Sequence, residues 1–508
     1  MNKTINFYFT TFLKWIALIF MMITLFGAMT AKTFDVYTLN GEFLLFLGFV
    51  VAILIALWQF NKSWIYRVVA WSHRRIGWIT FAMFVLVVAV QITVLLTIKA
   101  DQMSDAWILQ QGIKGNQGII GGIDAYLSRY PNNQLLFFAE VLLSKLVKDY
   151  GFVLQIINLI AVDVAIILFG VLANLLSNSK RVGFLATIVG LYFLGIQPIF
   201  LLVYSDTLSL APMLLANIFI LLSTKNHRLK FQIIYGIAGG FFFALSVALR
   251  PSTAVFMIAM VLIGILNLKI LKKIVPFLIL FVITFGLVGF GFKTYERNQT
   301  SYTIDPTRAY PPSSWLLIGS SGDENDPDVW HGAFNLEDLK TTDDASKEPG
   351  TSEKLFKDYV ARLKERGLYS AFKLYFVKYK DTTDTGVVGY HRDGLWLRGH
   401  FDKSGLSRFI QNIFNETGTN RPYFNFLIQL LYIPIVLLII VGINRINSKS
   451  VKMSFLLLSF VGGATFLLLF ESGGTKYLIQ YLPYWSSLAA IGAQKWWQGS
   501  FYKRNQRS

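Results

Sequence analysis

Lys99-Ala-Asp-Gln-Met-Ser-Asp-Ala-Trp107 opens a polar stretch that runs through Tyr126-Leu-Ser-Arg-Tyr-Pro-Asn-Asn133 to Tyr150. Apolar runs at 78–98 and 152–176 flank it. Each is long enough for a helix rising about 1.5 Å per residue to cross a bilayer core of roughly 30 Å. The stretch therefore reads as a polar loop displayed at a membrane surface, and it carries three carboxylates: Asp101, Asp105 and Asp124.

Composition extends this reading to the whole chain. Of 508 residues, 54% are hydrophobic and 15% charged, with a mean hydropathy of +0.51. A soluble protein would carry about 25% charged residues. Apolar runs of spanning length recur where a β-barrel would show short alternating segments. The chain has no cysteine, which excludes disulfides and thiolate metal sites. The first apolar run shows no small-residue cleavage site and reads as a spanning helix instead of a signal peptide.

The expected fold class is an all-α polytopic membrane protein with about twelve transmembrane helices. The spans are read at 12–28, 43–60, 78–98, 152–176, 182–204, 208–222, 231–249, 253–268, 274–292, 424–443, 454–470 and 477–493. Lys and Arg distribution orients them. With the N-terminus cytoplasmic, the inner segments hold 21 of the 47 cations and no acid, leaving 26 cations against all 29 acids elsewhere. The formal charge of +18 is then a topology signal, equally suited to anionic membrane lipids, and not a nucleic-acid patch. Four parts follow: an N-terminal helical hairpin with a basic loop (1–77), a membrane core with its outer loop at 99–151 (78–292), an extracytoplasmic α or α+β insert (293–422), and a three-helix segment with a basic tail (423–508). Both termini are expected in the cytoplasm. Within the insert, 353–379 has amphipathic helical spacing, and 406–414 suits the membrane interface.

The polar residues at the outer ends of these spans are the candidates for chemistry. If the third span continues as a helix, Asp101 and Asp105 lie on one face. A carboxylate partly desolvated at the bilayer edge is a stronger base. The same loop holds Asp124, Arg129 and Tyr130. Asp206, in Tyr204-Ser-Asp-Thr207, suits a helix N-cap or a site. Arg250, in Leu249-Arg-Pro-Ser252, snorkels to headgroups or grips a phosphate bidentately. Glu471-Ser-Gly-Gly-Thr-Lys-Tyr477 offers glycines for close approach, with Lys476 as a phosphate ligand or helix anchor. Asp163 lies inside a span and should face a neighbouring helix or a cavity. In the insert, His391-Arg-Asp393 and His400 are surface polar residues or substrate contacts. The acidic run from Asp323 to Asp328 lacks the spacing of an EF-hand loop. No P-loop, dinucleotide fingerprint or zinc-helix motif is present.

At these residues the chain resembles the GT-C superfamily of polytopic glycosyltransferases, which includes the protein O-mannosyltransferases. It is similar above all to bacterial members that decorate cell-envelope polymers such as teichoic acid. The matching pieces, in order, are Ser104-Asp-Ala106, Tyr126–Asn133, Tyr204–Leu208, Leu249–Ser252, and Gly473–Leu478 with Leu482-Pro483. The resemblance implies an inverting transfer from a polyprenyl-phosphate sugar on the outer face. The acceptor would be a glycopolymer or lipid-linked glycan. A polyprenyl-phosphate glycosyltransferase and a flippase would act upstream. It assigns the catalytic base to Asp105, with Asp101 second. Arg250, Lys476 and Arg129 fall to donor phosphate, and Asp124, Tyr130, Asp206, Glu471, Tyr477 and His391 to substrate. No cofactor is implied, although a divalent cation is compatible. Two spans precede the family's usual first helix, and the adjacent Asp-Glu pair of the protein mannosyltransferases is missing.

The loop lengths point the same way. The inner loops are too short for a nucleotide-sugar domain, so a sugar donor must arrive within the membrane. Its phosphate leaves already ionised, so one base suffices. The rival readings are a ligase or polymerase of lipid-linked glycans, a lipid or polysaccharide flippase, and a scaffold. A transporter would show paired repeats and helices broken at mid-depth.

Overall fold

Among the described residues of the computed structural model, eight helices are long and apolar enough to cross a membrane: Thr4–Met29, Ile76–Thr97, Tyr150–Ser177, Ser205–Ser223, Leu229–Leu249, Val275–Asn298, Arg421–Arg445 and Val451–Phe470. The structure describes residues 3–31, 48, 52, 62–98, 100–115, 121–326, 329–389, 395–397 and 401–501. The expected span at 43–60 lies almost wholly outside them.

The remaining differences from twelve spans have local causes. The run 182–204 is helical only over Lys180–Gly190, then widens into a π turn at Leu191–Gly195 and stops. Pro198 ends it: the preceding Gln197 is extended, as a residue before proline prefers, and a 3-10 turn Pro198–Leu201 follows. The run 253–268 yields a helix of 13 residues, Ala254–Leu266. The last run opens with a 3-10 turn, Thr475–Leu478, and its helix begins at Leu482.

Irregular backbone buried at these breaks needs partners. Gln102 donates to the Leu201 carbonyl (2.8 Å) and accepts from the Val203 N–H (2.9 Å). Asn158 donates to the carbonyls of Phe200 and Leu202. The segment Asp384-Thr-Gly-Val-Val-Gly389, buried where the insert returns to the bundle, is held in the same way. Gln197 and Gln429 serve Gly386 and Val388, and Thr475 accepts from the Gly389 N–H.

Four helices of the insert pack together, Pro312–Gly319, Leu336–Ala345, Thr351–Arg366 and Leu368–Thr383, and a further one, Gly405–Phe414, precedes its return to the bundle. Their small core is Leu317, Ala345 and Leu355, and Arg362 pairs with Asp338 beside it. The single amphipathic helix expected at 353–379 is two helices, because Gly367 takes φ +79°, a left-handed conformation open to glycine. Gly405–Phe414 is amphipathic as expected, with Ile410 and Phe414 buried and Leu406 and Phe409 exposed.

Candidate functional site

The Ile76–Thr97 helix does not run on through the aspartates. Ile98 is extended, and Asp101 and Gln102 pair antiparallel with Trp396 and Leu395. Ser104 turns the chain at φ +52°, and a new helix, Ser104–Ile113, begins with Asp105 in its first turn. Asp101 and Asp105 therefore do not share a helical face, which corrects the expectation above: strand pairing with the insert overrides the helical continuation.

Asp105 sits in a hydrogen-bonded cluster. Tyr126 donates to Oδ1 at 2.7 Å and Tyr204 to Oδ2 at 2.9 Å. Asn133 donates to the Tyr126 hydroxyl at 2.7 Å, and its Oδ1 lies 3.1 Å from the Tyr204 hydroxyl. The Tyr-Pro-Asn-Asn turn is what delivers Asn133, through the 3-10 turn Pro131–Asn133. Burial first, then Asp105, keeps both phenols protonated well above their usual range, so both remain donors.

Tyr204 joins this cluster to a second one. Its ring lies 6.0 Å from Lys476 Nζ, which also stands 5.0 Å from the Tyr477 ring. The Arg250 guanidinium carbon lies 5.6 Å from the centre of the same Tyr477 ring. Arg250 Nη2 approaches Asp206 Oδ1 at 3.1 Å and donates to Glu471 Oε1 at 3.2 Å. Arg250 and Asp206 are buried, with side-chain exposures of 9% and 3%. Burial opposes the Arg250 charge, but the two carboxylates outweigh it and hold the guanidinium above its ordinary range. Glu471 is pushed up by burial while Arg250 pulls it back. Asp206 does not cap its helix. Tyr204 occupies the N-cap of Ser205–Leu208, and Asp206 turns to the arginine. Asp105, Arg250, Lys476, Asp206, Glu471 and Tyr477 thus come together.

Other candidates stand apart. Arg129 grips Asp343 with both prongs of its fork, at 3.0 and 2.8 Å, and Tyr310 donates to the same carboxylate. It latches the loop to the insert, and its guanidinium is not in the Arg250 cluster. Tyr130 packs among Tyr126, Tyr310 and Trp315 at the same junction. Asp124 lies in the first turn of Gly122–Arg129, within electrostatic reach of Tyr302. His391, Arg392, Asp393 and His400 lie outside the described residues.

Three groups escaped the sequence reading. Lys378 is fully buried beneath the cluster, donating to the Gly319 carbonyl at 2.6 Å. Burial lowers its ammonium to about 7, with Glu471 acting in the opposite sense. His331 bridges Asp381 and the Asp323 carbonyl, each at 3.0 Å. Tyr204 itself lay in an apparent span. Lys378 and His331 have no periodicity or motif that marks them; Tyr204 opens the matched piece Tyr204–Leu208 but drew no role of its own. Among the described residues no group of three or more His, Asp or Glu side chains converges as a metal cage.

A family model described as "Conserved hypothetical integral membrane protein" matches residues 1–497. No curated protein and no solved structure matches. The match covers nearly the whole chain, and the chain belongs to that family.

Proposed function

We propose that this member of the conserved hypothetical integral membrane protein family is an inverting glycosyltransferase of the GT-C kind, moving a sugar from a polyprenyl phosphate to an acceptor of the cell envelope on the outer membrane face. One observation carries the reading. Four separate parts of the chain meet at one tyrosine: Asp105 accepts from the Tyr204 hydroxyl at 2.9 Å, Lys476 Nζ lies 6.0 Å from its ring, and Arg250 is within electrostatic reach.

The chemistry uses these groups in a simple order. Asp105 takes the proton of the acceptor hydroxyl, whose approach displaces a tyrosine from one carboxylate oxygen. The acceptor oxygen bonds to the anomeric carbon as the carbon–oxygen bond to phosphate breaks. The bonding pair leaves with the phosphate, whose charge faces Lys476 and Arg250. Asp206 and Glu471 keep Arg250 aimed and charged.

The test is transfer in proteoliposomes that contain a polyprenyl-phosphate hexose and an acceptor glycan. Asp105→Asn is expected to lose transfer at least a hundredfold while the protein folds and reconstitutes normally. Full activity of that variant rejects the assignment. Movement of the lipid across the bilayer without sugar transfer by the unaltered protein replaces the enzyme with a flippase.

A further inference from the structure

At the membrane edge away from Asp105, the structure holds a groove of about 520 Å³. Arg74, Arg75 and Arg181 line it, and no Asp or Glu does. Its other wall is Trp78, Phe81 and Phe184. We propose that this groove binds the phosphate of an anionic glycerophospholipid, with an acyl chain lying along the aromatic wall.

Topology alone asks for cations on one face, and a scatter of lysines and arginines satisfies it. It does not ask two adjacent arginines and a third from a distant segment to line one groove. Arg74 ends the helix Lys62–Arg74, Arg75 is the N-cap of Ile76–Thr97, and Arg181 is the second residue of Lys180–Gly190. Two of the three stand at helix starts, where the macrodipole opposes a cation, so helix stability does not explain them. All three are arginine, the side chain whose planar fork matches phosphate oxygens. Like charges in one groove repel unless an anion lies between them.

The aromatic wall decides between a soluble anion and a lipid. Trp78 and Phe81 are 69% and 60% exposed on the first turns of a helix apolar enough to span the membrane. A ligand gripped by the arginines therefore has its next atoms against lipid-facing rings. Gly77 keeps that wall closed: a Cβ there would stand 3.2 Å from the Phe184 ring. At the far side, His73 stacks on Trp497 at 4.9 Å, which brings the C-terminal helix to the groove.

The test uses the full chain in a neutral detergent, titrated separately with phosphatidylglycerol, with phosphatidylcholine of the same acyl chains, and with inorganic phosphate. Binding is read as a thermal shift and as lipid retained in native mass spectra. Phosphatidylglycerol should raise the melting temperature and stay bound, while the other two do so at least tenfold more weakly. Arg74→Gln/Arg75→Gln/Arg181→Gln should weaken phosphatidylglycerol binding at least tenfold. Lys225→Gln/Arg228→Gln/Lys230→Gln, with the same charge removed elsewhere, should leave it unchanged. If the triple variant does not fold, Arg181→Gln alone must weaken binding at least threefold. Equal loss in both triple variants, or equal binding of phosphatidylcholine, reduces the groove to general surface charge. Equal binding of inorganic phosphate rejects the lipid source.

Discussion

Arg250 shows how much the site depends on single side chains. It is the cation between two carboxylates, so removing it strands the buried Asp206, whose side chain is 3% exposed, and leaves the partly buried Glu471 without that partner. Arg250→Gln should destabilise the protein by about 3–5 kcal/mol, the usual cost of breaking a buried pair from one side. Asp206→Asn added to it should recover part of that loss in a thermal melt. Simple additivity of the two would mean that they are not coupled. Tyr204→Phe removes the hydroxyl shared by Asp105 and Asn133 and should cost about 1–2 kcal/mol. On the proposed mechanism its kcat falls about tenfold with KM little changed. Lys378 gives a pH signature. Its folded value of about 7 lies below the ordinary 10.5 because of burial. Between these values the unfolded chain binds the extra proton, so this group makes stability rise with pH from about 7 to about 10.5, by at most ~1.4 kcal/mol per pH unit. Below pH 7 the full penalty of the buried charge is present. Lys378→Met should lack that rise, and its advantage over the parent should be greatest near pH 6 and fade by pH 10. Parallel melting curves across that range would contradict the buried ammonium.

Glycines at crossings decide how closely the spanning elements approach. A Cβ at Gly442 would stand 2.1 Å from the Leu488 carbonyl oxygen, and one at Gly492 1.9 Å from that of Leu438, so the helices Arg421–Arg445 and Leu482–Phe501 meet backbone to backbone. Gly289, on Val275–Asn298, would meet nothing within 4 Å. Gly442→Val should therefore cost about 2–3 kcal/mol through overpacking, whereas Gly289→Ala should be neutral or stabilising by up to about 1 kcal/mol. The surviving fraction of folded protein after heating separates the two. Elements of this kind were largely legible in the sequence, since a long apolar run in lipid must satisfy its backbone hydrogen bonds within itself, as a helix does. The misreadings came where local pattern yields to distant partners. The run 182–204 looks apolar throughout, but its end is unwound, and the groups that tolerate this are Gln102 and Asn158, far away in sequence. The gap at Asp101 has the same origin, because its strand partner lies in the insert. At the site, Asp105, Arg250 and Lys476 could be found as polar residues beside apolar runs. Tyr204, as their link, and Lys378, beneath them, exist only in the folded chain.

Across the whole molecule, two faces are set by contacts between span ends. Lys14, well inside Thr4–Met29, donates to the Asn444 carbonyl, and Lys452 ties the start of Val451–Phe470 to the end of Tyr150–Ser177 on one face. On the opposite face, Thr24 meets Thr383, and Gln429 ties Ala28 to Asp384, where the insert joins the bundle. On the proposed reading, the cation bias puts the first face in the cytoplasm and the insert outside. That assignment needs an odd number of crossings before the loop that carries Asp105, so it depends on the run 43–60 spanning as its composition implies. The absence of any cysteine makes the question direct, since each introduced thiol is the only one present. Lys347→Cys, exposed on the insert, should react with a membrane-impermeant maleimide in intact cells. His227→Cys and Lys449→Cys, exposed in the turns between spans, should react only after permeabilisation. The reverse pattern would place Asp105 and its cations on the side where nucleotide sugars are available. The argument for a lipid-borne donor would then lose its premise, although the cluster around Tyr204 would be unaltered. If all three thiols on both faces react equally in intact cells, the division into two faces fails as well.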